Sequence, residues 1–365
     1  MCVSGSSDYV GFNLDVRANG NATDLPGDNA NIWVKPIEQV KIVVGKIDQN
    51  VLMGNCAYGL WNWDRLGVVG DNDSEKWTFW DYLDAGSGDW YAGRGASIIA
   101  TPVEGLTIGA GIPLDLNGSH ADVAVTKDNG DADDPYKQGS LQDSLLNSAF
   151  VGGYNIADIG TVKAAVRLHN GPARGNTLVD GDGTEYKSSY PRNKDGKDVK
   201  TWAEIAAAFD LTSVENLFVS VGARIRTLNT QFHEVNAYAK YNVNDAFTVH
   251  AIVGTKINAC DAKKTAEDGS YKTGFGFLGG VGVDYALDGG IGLFADVRYA
   301  NNIYASGTSA DNSDNLVLGA GVTKGFSNGL VGVAFEGSTN SKGRYDYKDG
   351  KQFAWEIPVR FEYWF

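Results

Sequence analysis

A closed antiparallel β-barrel that crosses a membrane is the fold class this 365-residue sequence predicts, on three observations. Apolar residues recur at every second position in many separate segments. Short and long connections alternate along the chain. The final residues form an aromatic-rich alternating strand that reaches the last position.

The alternation is plainest at the C-terminal end. Phe353, Trp355, Ile357, Val359, Phe361, Tyr363 and Phe365 share one face, and Glu356, Arg360 and Glu362 stand among the residues between them. Successive strand side chains point to opposite faces, so such a segment has one apolar and one polar side. Near the start, Val10, Phe12, Leu14, Val16 and Ala18 oppose Asn13, Asp15 and Arg17. The pattern returns over 162–169, 202–211, 217–225, 234–241 and 291–299. A strand in a soluble core alternates for five or six residues; the last segment does so for thirteen.

Between these segments, short connections fall near 36–39, 103–105, 157–160, 212–216, 243–246, 286–290 and 325–328. Long ones fall near 19–29, 48–92, 114–146, 170–200, 226–232, 256–272, 300–313 and 338–352. Short turns at one end and long loops at the other are the layout of outer-membrane barrels. Counting strands between them gives about sixteen in a single domain spanning 1–365, from about residue 9 onward, with both ends of the chain on the short-turn side. Pro358 removes one ladder donor in the last strand, so a bulge or an inner-side irregularity is expected there. Tyr241, Tyr285, Tyr299, Tyr363 and Phe365 are placed to form aromatic girdles at the two membrane interfaces.

Composition agrees. There are 47 glycines, only 8 prolines, and aromatics make up 11% of the chain. No apolar run reaches the roughly 18 residues of a transmembrane helix, but barrel strands need only about 9–11 residues, apolar at alternate positions. A net charge of −14 argues against a nucleic-acid partner, because a phosphate-binding surface needs a basic excess. The three cysteines, Cys2, Cys56 and Cys260, give no disulfide framework, although Cys56 and Cys260 can pair if their loops meet. After Met1 there is neither a basic n-region nor an apolar h-region, so an exported form implies a leader removed or replaced.

The ending Phe361-Glu362-Tyr363-Trp364-Phe365 resembles the C-terminal signal read by the barrel-assembly machinery of diderm bacteria. With the strand pattern over essentially the whole chain, it makes the sequence resemble the general porin class of bacterial outer-membrane β-barrel proteins. The resemblance implies an outer-membrane location in contact with lipid, sixteen strands, a homotrimer, and one loop folded inward as a constriction. It also implies a passive channel for ions and small hydrophilic solutes. The Pro-Glu-Phe-Gly-Gly motif common in the third loop of enterobacterial porins is absent from 114–146.

Sixteen strands enclose a lumen too wide for side chains to fill, so wall residues set selectivity. Parity places Arg17, Lys35, Lys163, Arg167, Arg224, Lys240, Arg298 and Arg360 on the inner face. Asp15, Glu204, Asp210, Glu234, Asp284, Asp296, Glu336, Glu356 and Glu362 share it. These form a transverse field that screens solutes, or are simply solvated and paired wall groups.

The segment 48–92 is far longer than an ordinary connection and rich in tryptophan. One reading folds it into or over the channel, with Asp64, Glu75, Trp77, Trp80, Asp81 and Asp84 at the constriction. The other makes it a compact cap on neighbouring loops or a trimer contact. The rival constriction is 114–146.

No catalytic residue, metal or cofactor is expected. Gly274-Phe275-Gly276-Phe277-Leu278-Gly279 matches a dinucleotide fingerprint but continues as strand. The acidic groups at 128–134 and 180–185 lack EF-hand spacing. None of His120, His169, His233 and His250 has a serine beside it in a recognisable nucleophile setting. Two further functions remain open: a structural or adhesive barrel whose loops bind a partner, and a saccharide-selective channel.

Overall fold

The structure is a computed structural model that describes residues 2–15, 30–46, 94–113, 145–146, 148–170, 178–179, 185–186, 199, 201–230, 232–260, 272–301, 314–339 and 353–363. Strands account for nearly all of them. The first eight are β1 (Cys2–Ser6), β2 (Val10–Asp15), β3 (Ala30–Ile37), β4 (Val40–Lys46), β5 (Arg94–Val103), β6 (Leu106–Pro113), β7 (Ala149–Ile156) and β8 (Gly160–Asn170). A two-residue ribbon, β9 (Leu178–Val179) and β10 (Glu185–Tyr186), forms its own ladder. Then follow β11 (Thr201–Leu211), β12 (Leu217–Arg226), β13 (His233–Asn242), β14 (Phe247–Cys260), β15 (Thr273–Leu287) and β16 (Ile291–Ala300). The last are β17 (Asn315–Phe326), β18 (Gly329–Ser338), β19 (Ala354–Glu356) and β20 (Val359–Tyr363). No helix among the described residues is long and apolar enough to cross a membrane.

From β1 to β8 and from β11 to β18 each strand pairs antiparallel with the next, β8 pairs with β11 across the long connection that holds the ribbon, and β19 and β20 both pair with β18. The short turns and long connections fall on opposite sides of the sheet, as the sequence predicts. We call these the turn side and the loop side.

Four expectations change. A five-residue strand, β1, precedes the one expected from about residue 9 and pairs with β2 from Cys2↔Asp15 to Ser6↔Gly11. Its Ser-Gly tract has no apolar alternation to announce it. The N-terminal end consequently lies on the loop side. With β19 and β20 taken as one interrupted strand, the sheet has seventeen strands rather than about sixteen. It is also open: among the described residues no ladder joins β1 or β2 to β19 or β20, so closure is not part of the observed pairing.

At Pro358 the expected inner-side irregularity is present, as a break between β19 and β20. The register with β18 runs Glu336↔Glu356 and then Val333↔Val359, three residues on each strand, so nothing slips. Pro358 lacks an N–H, but its carbonyl still accepts from Ala334 N at 3.1 Å. The result is an in-register gap on the buried face, without a bulge.

True bulges occur elsewhere. The related turns Pro36-Ile37-Glu38-Gln39-Val40 and Pro102-Val103-Glu104-Gly105-Leu106 each shift the register by one residue just before the turn. In β14, Asn258 adopts φ 65° and is passed over between Ile257↔Phe275 and Ala259↔Gly274. Asparagine tolerates that left-handed conformation better than most residues, and the extra residue bends the strand. Its Nδ2 donates to Asn229 O at 3.1 Å.

Gly160 begins β8 at φ +155°, where an added Cβ would sit 1.9 Å from the Asp210 carbonyl oxygen. Gly160→Ala must therefore push β8 and β11 apart at the turn side. Such strain costs about 1–3 kcal/mol, and equilibrium urea unfolding of the detergent-folded protein should show the loss.

Candidate functional site

The two faces of the sheet are inverted relative to a soluble protein. The exposed face carries large apolar side chains, among them Ile32, Val221, Val253 and Val281. Phe361 on the last strand is 69% exposed. The buried face carries Asp210, Arg224, Glu234, His250, Asp296 and Glu336. Period-2 alternation in each strand produces both faces at once, so the inversion belongs to the sheet as a whole.

Aromatic residues mark two levels of the exposed face. On the turn side, Phe247 and Tyr285 lie 6.2 Å apart between ring centroids, as do Phe326 and Phe361. On the loop side, Phe277–Tyr299 and Phe335–Trp355 are separated by 5.7 and 6.1 Å. From Phe275 to Tyr285 the chain advances roughly 33 Å along β15, or about 25 Å along the membrane normal at a ~40° tilt, the height of an outer-membrane apolar band. Of the expected girdle residues, Tyr241, Tyr285 and Tyr363 are exposed and Tyr299 is half-buried on the same face; Phe365 lies outside the described residues.

On the buried face, charge forms linked pairs across neighbouring strands. Lys163 Nζ stands 2.7 Å from Asp210 Oδ2, and Ser220 Oγ donates to Asp210 Oδ1 at 2.7 Å. Arg224 Nε donates to Glu234 Oε2 at 2.9 Å. Arg226 Nε donates to Glu204 Oε1 and its Nη1 to the Phe232 carbonyl, each at 2.7 Å. The Arg226 guanidinium also lies over the Phe232 ring at 4.3 Å, and Lys256 approaches the same ring at 4.9 Å. Trp202 stacks on His169 at 3.8 Å, 4° from parallel. Glu234→Gln removes the charge from the Arg224 pair and should cost about 1.5–3 kcal/mol by urea titration, while Glu234→Asp should restore part of it.

A separate chain of hydrogen bonds crosses β13, β14 and β15. Tyr238 Oη meets His250 Nδ1 at 2.8 Å, and His250 Nε2 meets Asp284 Oδ2 at 2.5 Å. A ring whose Nε2 proton points at the carboxylate would leave Nδ1 to accept from the tyrosine hydroxyl.

Charge is distributed unevenly along this wall. β8 and β11–β14 bring Lys163, Arg167, Arg224, Arg226, Lys240 and Lys256 to the buried face, with only Glu204, Asp210 and Glu234 against them. β15–β20 bring Asp284, Asp296, Glu336 and Glu362, with Arg298 and Arg360. At β3 and β4, Lys35 and Lys41 flank the Trp33 ring at 5.7 and 4.9 Å.

The parity-derived residues Lys35, Lys163, Arg167, Arg224, Lys240, Arg298, Arg360, Glu204, Asp210, Glu234, Asp284, Asp296, Glu336 and Glu362 stand on this face. Asp15 and Glu356 occupy register positions opposite Cys2 and Glu336. Arg17 lies outside the described residues, as do the constriction candidates Asp64, Glu75, Trp77, Trp80, Asp81 and Asp84, the rival loop at 114–144, and Cys56. Arg226 and Lys256 escaped the sequence reading because both were assigned to long connections. Continued alternation through β12 and β14 was the signal that could have found them.

A family model for the OmpA-like transmembrane domain matches residues 214–329, the span that holds β12 to β17. No curated protein matches the chain. Among solved structures, the chain is similar to a porin refined at 1.8 Å, with 14% identity and a TM-score of 0.39 over 73% of this chain and 81% of that one. It is also similar to Salmonella typhi OmpF in complex with daunomycin, with 13% identity and a TM-score of 0.41 over 99% and 88%. A third similarity is to the CymD monoaromatic hydrocarbon channel, with 10% identity and a TM-score of 0.25 over 92% and 76%. At scores this low the likenesses assign neither a solute nor an assembly. The matched transmembrane-domain segment and the inverted faces together define the class: a bacterial outer-membrane β-barrel protein.

Proposed function

We propose that the sheet closes into one barrel domain of about sixteen strands and serves as a passive, water-filled channel for ions and small hydrophilic solutes. The observation that carries this reading is the inversion of the faces. Charged groups gathered on the inner face of so wide a sheet need water or one another, and a lumen of this circumference has room for water. In this reading Arg17, Lys163, Arg167, Arg224, Lys240, Arg298, Arg360, Asp15, Glu234 and Asp296 line the pore. The cation-rich stretch then faces the carboxylate-rich one across the lumen, giving a transverse field that sorts solutes by charge and dipole.

The constriction is assigned to 48–92, with Asp64, Glu75, Trp77, Trp80, Asp81 and Asp84 at its narrow point, and the assembly to a homotrimer. No reaction is assigned to the protein. The test is swelling of liposomes that contain the folded protein in neutral sugars of increasing size. Swelling should be rapid for the smallest and slow steeply with size; no swelling with any sugar would overturn the reading.

One observation favours a structural barrel instead. Arg298 and Glu336 are only 3% and 2% exposed, a degree of sealing that suits a filled interior. Folded, inserted protein that admits no solute would favour that second reading.

A further inference from the structure

The open edges of the sheet carry an inference about how it closes. β1 runs from the loop side to the turn side, and so does the final strand formed by β19 and β20. β2 runs the other way. Every ladder in the sheet is antiparallel, so a seam between β1 and the last strand would be its one parallel pair. A seam between β2 and the last strand would leave sixteen strands, all antiparallel. The edge of β2 that this second seam needs is the one β1 now occupies, from Cys2↔Asp15 to Ser6↔Gly11.

We propose that β1 is an edge guard. It holds the rim of β2 in the open sheet and is exchanged for the last strand when the barrel closes. The inference rests on the closed barrel proposed above and adds which strands form its seam.

The chemistry of the two competitors supports the exchange. β1 reads Cys-Val-Ser-Gly-Ser, and its membrane-side face offers only Val3 and Gly5. Gly5 serves as a floor for Phe12, whose ring atom Cε1 would lie 2.7 Å from an added Cβ. Serine and glycine are poor strand formers, so this ladder is weak. The last strand instead presents Trp355, Val359, Phe361 and Tyr363 on the exposed face. Laid beside β2, these would meet Val10, Phe12 and Leu14, giving aromatic and β-branched cross-strand pairs that β1 cannot supply.

Membrane physics drives the same change. In lipid an unpaired strand edge leaves backbone N–H and C=O groups without partners, whereas in water such an edge invites pairing with other chains. A weak, polar guard suits the second condition and yields under the first.

The test is disulfide cross-linking of the full chain with Cys2, Cys56 and Cys260 replaced by serine, before and after insertion into phosphatidylcholine vesicles. The guard pair is Val3→Cys with Leu14→Cys, which stand opposite each other. The seam pairs combine Phe12→Cys with Val359→Cys, Phe361→Cys or Tyr363→Cys. On insertion the guard cross-link should fall by about fivefold or more and at least one seam pair should form, since a disulfide needs Cα atoms within ~7 Å. Persistence of the guard cross-link, absence of every seam cross-link, or cross-linking of Val3→Cys to the last strand would each overturn the proposal.

Deleting residues 2–6 gives a second measure. The heat-resistant folded band on gels and the pore conductance, if any, should stay within about twofold of the parent, as for a segment outside the finished wall. Loss of the band would place β1 in the seam and overturn the proposal. Cross-linking needs no current, so a barrel that joins β2 to its last strand but passes no ions rejects the channel while the guard stands.

Discussion

Val253→Arg should destabilise the vesicle-inserted protein by about 2–4 kcal/mol, the cost of a basic side chain at the middle of a bilayer on a barrel's outer face. Val253 is 56% exposed and lies midway along β14, between Phe247 near the turn side and Ile257 towards the loop side. In a water-facing sheet, a valine this exposed could become arginine with a change within about 0.5 kcal/mol. The sign and size of this one substitution therefore separate a lipid-facing surface from a wet one. Tyr241→Arg, at the turn-side level, should cost only about 0–1 kcal/mol, because interfacial positions let the charge reach water. Reversible urea unfolding in vesicles, followed by tryptophan fluorescence, reads both. Equal costs at the two depths would deny that the exposed face spans a bilayer.

Reversing Lys240 and Lys256 together to glutamate should raise the cation-to-anion permeability ratio roughly three- to tenfold, since a shift of ~1–2 kT in wall potential acts exponentially on local ion concentration. Both side chains belong to the cation-rich stretch of the buried face. The change gives up the Lys256 contact with Phe232, roughly 0.5–1 kcal/mol, and sets a glutamate opposite Glu234 in the ladder, so the variant's folding is checked first by its heat-resistant band. Reversal potentials under a potassium chloride gradient give the ratio. Asp296→Lys with Glu336→Lys should move it in the opposite direction. If neither pair shifts the reversal potential, the wall charges are paired structural groups and the transverse field is absent.

The membrane-facing half of the structure was legible in the sequence because one physical rule generates it. Each strand must be apolar at every second residue, and Phe353 to Tyr363 or Val235 to Tyr241 satisfy the rule without reference to any neighbour. The turns were legible for a related reason, since alternation stops there and the Asp288-Gly289-Gly290 type of sequence follows. β1 was invisible because Cys-Val-Ser-Gly-Ser has nothing to alternate; its strand conformation comes from pairing with β2. The end of β14 was missed for a different reason: its connection was started at 256, although alternation continues to Ile257 and parity breaks only at the Asn258 bulge.

The inner wall divides the same way. Parity sufficed to place Arg224, Glu234 and Asp296 on the polar side. Which group meets which depends on register, and register is fixed by turn lengths and bulges summed over several strands. Hence the links Lys163–Asp210, Arg226–Glu204 and Tyr238–His250–Asp284, which join residues 12 to 47 positions apart, could not be read from one strand at a time.

The central claim is an open aqueous pore, and single-channel recording of the detergent-folded protein in a planar bilayer tests it most directly. Stepwise, long-lived openings with conductance proportional to salt concentration are the expected result, and closure in three steps would add the trimer. Protein that inserts as a folded, heat-resistant barrel and carries no current across the same range of salt would contradict it.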